Sequence, residues 1–203
     1  MLDLGCGEGG YARELARRGA QVIAVDGSTR LIEVARERAR SEGVDVRFVH
    51  ANANALHGVE SARLDVVVAS MSLMDVEDYP GAIREVQRVL RSGGELVMSI
   101  THPCFSAPVS SWVRDSDGSL QVFAVDRYFE RTAWPEKISP TFGAPVLRRH
   151  RPLEDYMAAP LDCGLRLRGF DESNVTDEEL QRSYRFSRLR RIPYFLFMRW
   201  RKE

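Results

Sequence analysis

The sequence predicts an α/β fold built on a mainly parallel sheet. Two observations carry this. Short strand-like runs alternate with amphipathic helical stretches from Leu2 to about Thr101, and a glycine-rich turn, "LDLGCGEGG", joins the first run to the first helix. Such alternation implies right-handed βαβ units. "QVIAVD" (21–26), "VRFVHA" (46–51), "LDVVVAS" (64–70) and "ELVMSIT" (95–101) are rich in β-branched residues, and several are apolar throughout, as strands covered on both faces are.

The helices follow from apolar stripes at helical spacing. Tyr11, Ala12, Leu15 and Ala16 make the first, closed by Gly19. Leu31, Ile32, Ala35 and Ala39 make the second, with Ser28 or Thr29 as N-cap and Gly43 beyond its end. Ile83, Val86, Val89 and Leu90 make the third, begun at Asp78-Tyr79-Pro80 and stopped by Gly93-Gly94. Residues 102–150 break the rhythm with Pro, Ser and aromatic residues. An insertion this long in a compact domain is usually functional. It predicts an antiparallel pair of "SLQVFAVDRYFER" (119–131) with "APVLRRH" (144–150). Beyond it, "PLEDYMAAPLDCGL" reads as a helix up to Pro160 or Gly164. "RLRGFDES" and "PYFLFMRWRK" read as two final strands, joined by an acidic helix start at "TDEELQRS".

Composition narrows the function. The 203 residues suffice for one domain with a sizeable core, and 29 basic residues balance 29 acidic ones. That balance gives no electrostatic case for nucleic acid or an anionic membrane. No apolar run reaches the ~20 residues of a membrane span, and "MLDLGCGEGG" lacks the basic start and apolar core of a signal peptide. Cys6, Cys104 and Cys163 are scattered and odd in number, which favours reduced thiols and a cytoplasmic address over a disulfide frame or a metal site. The arginines at 182, 185, 188, 190 and 191 read as a solvated face rather than an RNA groove.

The glycine turn carries the chemistry. Glycine turns tightly and admits a ligand where a Cβ would clash, and the helix opening behind the turn offers free N–H groups. Gly5, Gly7 and Gly10 satisfy G-x-G-x-x-G, the dinucleotide fingerprint, so a nicotinamide-dependent oxidoreductase is one reading. Asp26, ending the second strand, suits ribose hydroxyls in either nucleotide reading, or caps the next helix. Asp3 separates the alternatives. Two residues before the first glycine, its carboxylate would repel a pyrophosphate but attract a ligand ammonium. The chain also ends in two strands rather than in a second nucleotide-binding half.

These residues resemble the class I S-adenosylmethionine-dependent methyltransferases, particularly their small-molecule branch. "LDLGCGEG" looks like that family's first motif and "VIAVD" like its second. "LDVVVASMSLMDVED" is similar to the fourth-strand motif, and "RVLRSGGELVMSI" to the helix–turn–strand that follows, with Ser92 where Pro is usual. "HPCF", "HRPLEDY" and "RIPYFLFMRWRK" have the look of one subgroup. The resemblance implies a Rossmann-like three-layer sandwich with a seven-stranded sheet in the order 3-2-1-4-5-7-6, its last strand antiparallel. It implies that Asp3 and the Gly5–Gly7 backbone hold the cofactor's methionine part. Asp26 takes the ribose hydroxyls with Gly27 beside them, Leu31 packs on the adenine, Asn52 and Ala53 meet its edge, and Ala69 and Ser70 lie near the amino-acid moiety. Asn52 stands where the family commonly has Asp; its amide oxygen can still accept from an exocyclic amine.

The implied reaction is methyl transfer to a small-molecule oxygen, nitrogen or carbon acceptor. A general base helps only where the nucleophile must lose a proton. His102, after the fifth strand, is the best-placed base, or a histidine held by the turn at Pro103. Asp75, after the fourth strand, is placed to orient a cationic or amine substrate or, equally, to cap the next loop. Tyr128, Phe129 and Trp134 would wall an acceptor site or form the insertion's own small core, with His150 and Arg151 closing the site from the other side. His50 and His57 read as surface residues. The reading is one domain, 1–203, with a substrate-side lid at about 102–150. Its rivals are the oxidoreductase and a non-catalytic cofactor-binding module. Only Met1 to Leu4 precede Gly5, fewer than the ~5–6 residues of an ordinary strand, so a further N-terminal segment covering the cofactor is expected to be missing. Otherwise the insertion supplies the cover.

Overall fold

The computed structural model describes residues 1–136, 146–182, 187 and 189–203. The elements run β1 (Leu2–Leu4), α1 (Gly10–Arg17), β2 (Ile23–Asp26), α2 (Thr29–Ser41), β3 (Arg47–His50), β4 (Leu64–Ser70), α3 (Tyr79–Val89), β5 (Leu90–Thr101), β6 (Val109–Arg114), β7 (Leu120–Asp126), β8 (Thr132–Glu136), β9 (Val146–His150), α4 (Leu153–Asp162), β10 (Leu165–Glu172), α5 (Asp177–Arg182) and β11 (Phe195–Lys202).

Seven strands form one sheet in the order β10-β11-β5-β4-β1-β2-β3. This is the expected 3-2-1-4-5-7-6 arrangement, with β11 antiparallel to both neighbours. β1 pairs in parallel with β2 through Leu2–Leu4 and with β4 through Leu2 and Asp3. Alternate side chains point to opposite faces. On β2, Ala24 packs with Ala12 of α1 and Ile32 and Ala35 of α2. Its neighbour Val25 belongs to the larger cluster on the other face, with Tyr79, Ile83 and Val86 of α3 and Tyr156 of α4.

The helix starts follow local chemistry. Ser28 caps α2, its hydroxyl accepting from the Leu31 N–H at 3.3 Å, and Asp78 caps α3 by accepting from Gly81 N–H at 2.8 Å. Two details differ from expectation. α3 ends at Val89, not at the glycine pair, because Leu90 is already extended and starts β5. In α1 Tyr11 is exposed and Arg13 is buried instead. The Arg13 guanidinium is drawn inward by the Glu8 carbonyl at 2.6 Å and the Glu42 carboxylate at 2.8 Å.

The insertion is two hairpins rather than the single expected pair: β7 pairs with β6, and β9 with β8. Each run found its nearer neighbour in sequence, which closes the shorter loop and costs less entropy. Part of the segment 144–150, its first two residues, lies outside the described residues, as do the arginines at 185 and 188. Arg191 is not a freely solvated charge. Its guanidinium stacks 4.7 Å from the Trp112 ring centroid and donates to the Leu120 carbonyl at 2.7 Å, tying the C-terminal region to the first hairpin. Among the described residues no helix is long and apolar enough to cross a membrane.

Trp200 of β11 is fully buried, yet among the described residues its indole N–H has no hydrogen-bond partner. Trp200→Ala should cost about 3–5 kcal/mol in urea unfolding. Trp200→Phe should cost far less, since the lost volume is offset by removing an unpaired buried donor.

Candidate functional site

Parallel strands all end at one edge of the sheet, and there the loops after β1, β2, β4 and β5 meet. The glycine turn is bound to β2 by three hydrogen bonds. Gly5 N–H and Cys6 N–H donate to the Val25 carbonyl at 2.8 and 2.9 Å, and Gly7 N–H donates to Asp26 Oδ2 at 2.8 Å. Asp26 Oδ1 accepts from Ser28 N–H at 2.8 Å. An ionised carboxylate offers about four acceptor sites, so Asp26 organises the turn and retains lone pairs for a ligand.

Gly5 and Gly7 have φ of 74° and 54°, a region costly for any residue with a Cβ. Their surroundings differ. A Cβ on Gly5 would lie 2.3 Å from Ser72 Cβ, whereas a Cβ on Gly7 would meet nothing within 4 Å. Gly5 is thus required by packing, and Gly7 faces open space. Ser72, not expected from the sequence, donates from its hydroxyl to the Leu4 carbonyl at 2.6 Å and so locks the loop after β4 onto the end of β1.

Asp3 lies beneath the turn, 2% exposed. It accepts a hydrogen bond from the backbone of Ala12, while Oδ2 is buried without a partner among the described residues. Burial, with a smaller contribution from the Asp26 charge, pushes its carboxyl up to about 6. The Cys6 thiol is pushed up to about 12, first by burial and then by the two carboxylates. A buried acid with an unpaired oxygen and a neighbouring acid is a receptor for a cation.

Around the rim, the Asn52 amide oxygen points at Gly27, 3.4 Å from where a Cβ there would sit. His50 is exposed, as expected, and its Nε2 lies 3.1 Å from the Gly27 carbonyl. Leu31 and Ala53 are half-buried. Ser70 reaches Ser99 across β4–β5 at 3.4 Å between hydroxyls. Ala69 is fully buried in the central cluster, so its side chain offers no ligand surface; alternation along β4 turns it away while Ser70 faces the edge.

The expected acceptor-side residues divide. His102 is not a free base. It is buried, Nδ1 accepts from Cys104 N–H at 3.2 Å, and Nε2 lies 2.7 Å from the Glu172 carboxylate. Both ring nitrogens are thus engaged within the protein and neither is presented to a substrate; the ring caps the turn Pro103–Phe105. Arg151 is likewise committed, donating to the carbonyls of Met74 at 3.0 Å, Glu77 at 2.8 Å and Val76. His150 is buried with Nε2 on the Tyr128 carbonyl at 2.8 Å. The Tyr128 hydroxyl accepts from Leu153 N–H at 2.8 Å, fastening the start of α4. Phe129 is 74% exposed.

Trp134 does line a pocket. It has a volume of about 420 Å³, lies beyond the end of β5, and is walled by Phe105, Trp112, Phe123, Trp134 and Tyr194, with Arg148 and Glu136 at the second hairpin. Asp75 stands behind it, half-buried, with Oδ1 unpartnered among the described residues and Oδ2 3.9 Å from Arg148. Burial raises its carboxyl above the ordinary value, opposed by Arg148, Arg151 and Arg149. Arg149 donates to the Asp75 carbonyl at 3.2 Å and to Glu77 at 2.8 Å. The sequence signal for this clamp was the run "LRRHR", whose closely spaced arginines serve different partners. A larger groove of about 1020 Å³ opens at the opposite end of the sheet, beside Met1, Arg17, Gln21 and Arg63, and includes none of the turn residues from Gly5 to Gly10.

Residues 2–98 match the family described as methyltransferase domain. Over its whole length the chain superposes on a solved S-adenosylmethionine-dependent methyltransferase from Mesorhizobium loti, with TM-score 0.84 and 26% identity, covering 99% of this chain and 90% of that one. The chain has the class I S-adenosylmethionine-dependent methyltransferase fold, with the family's domain at residues 2–98. A ubiquinone biosynthesis O-methyltransferase from Methylocella silvestris is 42% identical over 46% of this chain and 36% of its own length. A demethylmenaquinone methyltransferase from Thermus thermophilus is 37% identical over 48% of this chain and 45% of its own. The chain thus matches between a third and a half of the length of these curated relatives. The cofactor implied is S-adenosylmethionine, and the methyltransferase turn fits it: the unpaired Asp3 oxygen suits the ammonium, and Gly7 leaves open space above the loop.

A stability test follows from Asp3. Its folded value lies above its unfolded one, so this group's contribution to stability is present at low pH and is lost as pH rises from about 4 through 6. Asp3→Asn should therefore stabilise the ligand-free protein by about 2–3 kcal/mol at pH 7.5. The gain should vanish near pH 4, as measured by urea unfolding at both pH values.

Proposed function

We propose that this chain transfers a methyl group from S-adenosylmethionine to a small-molecule acceptor held in the aromatic pocket beyond β5, acting as a single domain, 1–203, in the cytoplasm. The observation that carries the reading is the buried Asp3 carboxylate, its Oδ2 without a partner among the described residues, directly under a glycine turn that Asp26 organises. A pyrophosphate would be repelled there; a ligand carrying an ammonium group and a ribose is accommodated at both acids. The balanced charge of the chain accords with a small acceptor rather than nucleic acid.

In this reading Asp3 pairs with the ammonium of the cofactor, and the Gly5–Gly7 backbone follows its amino-acid part with Ser70. Asp26 accepts from the ribose hydroxyls. Gly27, Leu31, Asn52 and Ala53 surround the adenine. When bound, the cofactor supplies a sulfonium methyl carbon open to in-line attack by an acceptor lone pair, the C–S bonding pair leaving with sulfur. The protein's share is then alignment and exclusion of water. With His102 committed to Glu172 and Cys104, no histidine is assigned as base; Glu136 is the acid lining the pocket, and Asp75 stands 3.9 Å from the lining residue Arg148. The two hairpins, β6–β7 and β8–β9, act as the lid, with Trp134 rather than Tyr128, His150 or Arg151 touching the acceptor.

Calorimetry with S-adenosylhomocysteine tests the cofactor side. The wild type should bind it, and Asp26→Ala and Asp3→Asn should each weaken it at least tenfold. Wild-type affinity should fall as pH drops below about 6, because a protonated Asp3 no longer pairs with an ammonium. Stabilisation by NADH but not by S-adenosylhomocysteine would restore the oxidoreductase reading. Binding without methyl transfer to any acceptor in a phenol, amine and carboxylate panel would favour a non-catalytic module.

A further inference from the structure

We propose that the pocket beyond β5 selects flat apolar molecules carrying an anionic group, and that Arg148 is the residue that receives the anion. The use of the pocket for an acceptor rests on the methyl-transfer reading; its chemistry does not.

The argument begins with the arginines of the second hairpin and its exit. Arg149 and Arg151 are satisfied: between them they donate to the backbone of Met74, Asp75, Val76 and Glu77 and to the Glu77 carboxylate. Arg148 is different. Its side chain is only 16% exposed, yet its two carboxylate neighbours stand at 3.4 Å (Glu136) and 3.9 Å (Asp75), and neither contact is a hydrogen bond. Among the described residues no acceptor takes a hydrogen bond from this guanidinium. A mostly buried guanidinium without such partners is costly, and its planar fork matches a carboxylate in bidentate geometry. It lines the pocket, so the fork is presented where a ligand would lie.

The remaining walls set the rest of the ligand. Phe105, Phe123 and Trp112 form an edge-to-face chain, with centroids 6.2 and 5.2 Å apart, and Trp134 and Tyr194 complete the lining. Aromatic walls favour a flat π surface. Glu136, half exposed at the rim, and Asp75 oppose an anion, so the ligand's carboxylate must displace Glu136 from Arg148. The loose 3.4 Å contact makes that exchange cheap. Asp75 is held behind by its backbone contacts and stays as the second-nearest charge.

The test is calorimetric titration of the full chain at pH 7.5 with three probes of one shape: 2-naphthoate, 2-naphthamide and 2-naphthylmethylamine. The wild type should bind the acid at least tenfold more tightly than the amide, and the amine more weakly than either. Arg148→Gln should abolish the acid's advantage while leaving the amide within about twofold, and Arg148→Lys should retain part of it. Equal affinity for acid and amide in the wild type would overturn the inference. So would tighter binding of the amine, since Glu136 and Asp75 would then rule the pocket. The wild-type comparison needs no variant to fold. S-adenosylhomocysteine titrated into the same protein reads the cofactor site separately. If it fails to bind while the acid preference persists, only the methyl-transfer reading falls. If it binds with no acid preference, only this inference falls.

Discussion

The end of β2 holds the glycine turn in place, and the rest of the site is arranged around that contact. The Val25 carbonyl takes two N–H groups from the turn, and the Asp26 carboxylate takes a third as well as the Ser28 N–H at the start of α2. One strand end thereby sets the height of Gly7 above the sheet and the starting direction of α2. It also places a second negative charge near Asp3, which contributes to the raised Asp3 value. A turn of glycines has high backbone entropy when free; fixed to β2 at three donors, it becomes a preformed floor rather than a loop that must be ordered by its ligand.

The acceptor side is built by a different device. The β4–α3 loop has few side-chain anchors of its own, and its carbonyls at Met74, Val76 and Glu77 are occupied by Arg151 from beyond β9. Met71, at the start of this loop, has φ of 54°, unusual for a residue with a Cβ, and its N–H donates to the Ser99 carbonyl at 2.9 Å. The loop is thus pulled into an uncommon shape from β5 on one side and from β9 on the other.

Most of the sheet was legible in the sequence, because parallel strands packed on both faces, such as "VVVAS" and "IAVD", carry long apolar runs, and because Ser28 and Asp78 cap where their side chains dictate. The cofactor-side acids were legible for a similar reason: an acid two residues before a glycine turn and another at a strand end are local patterns. The acceptor side was not. His102 looks like a base in sequence, and nothing local reveals that Glu172, 70 residues away, takes one nitrogen. Tyr128 and Arg151, and the Nε2 of His150, are taken by backbone groups that only the tertiary fold brings near; among the described residues His150 Nδ1 has no partner. Arg148 was hidden among its neighbours, since three nearby arginines look alike until their partners are seen. Ala69 was placed by resemblance alone, and the burial of its side chain follows from the two-residue alternation of a strand, which its neighbours in sequence do not reveal.

The arginine clamp also bears on how such a scaffold can be recombined. The aromatic walls of the pocket lie mainly in the hairpins, while the backbone they grip lies between β4 and α3. Transplanting the hairpins alone into a relative would leave Arg149 and Arg151 facing a foreign loop and strand buried guanidinium groups without acceptors. The exchangeable unit of specificity is therefore discontinuous: residues 74–77 and 109–151 form one cassette, and a chimera respects the fold only if both pieces travel together.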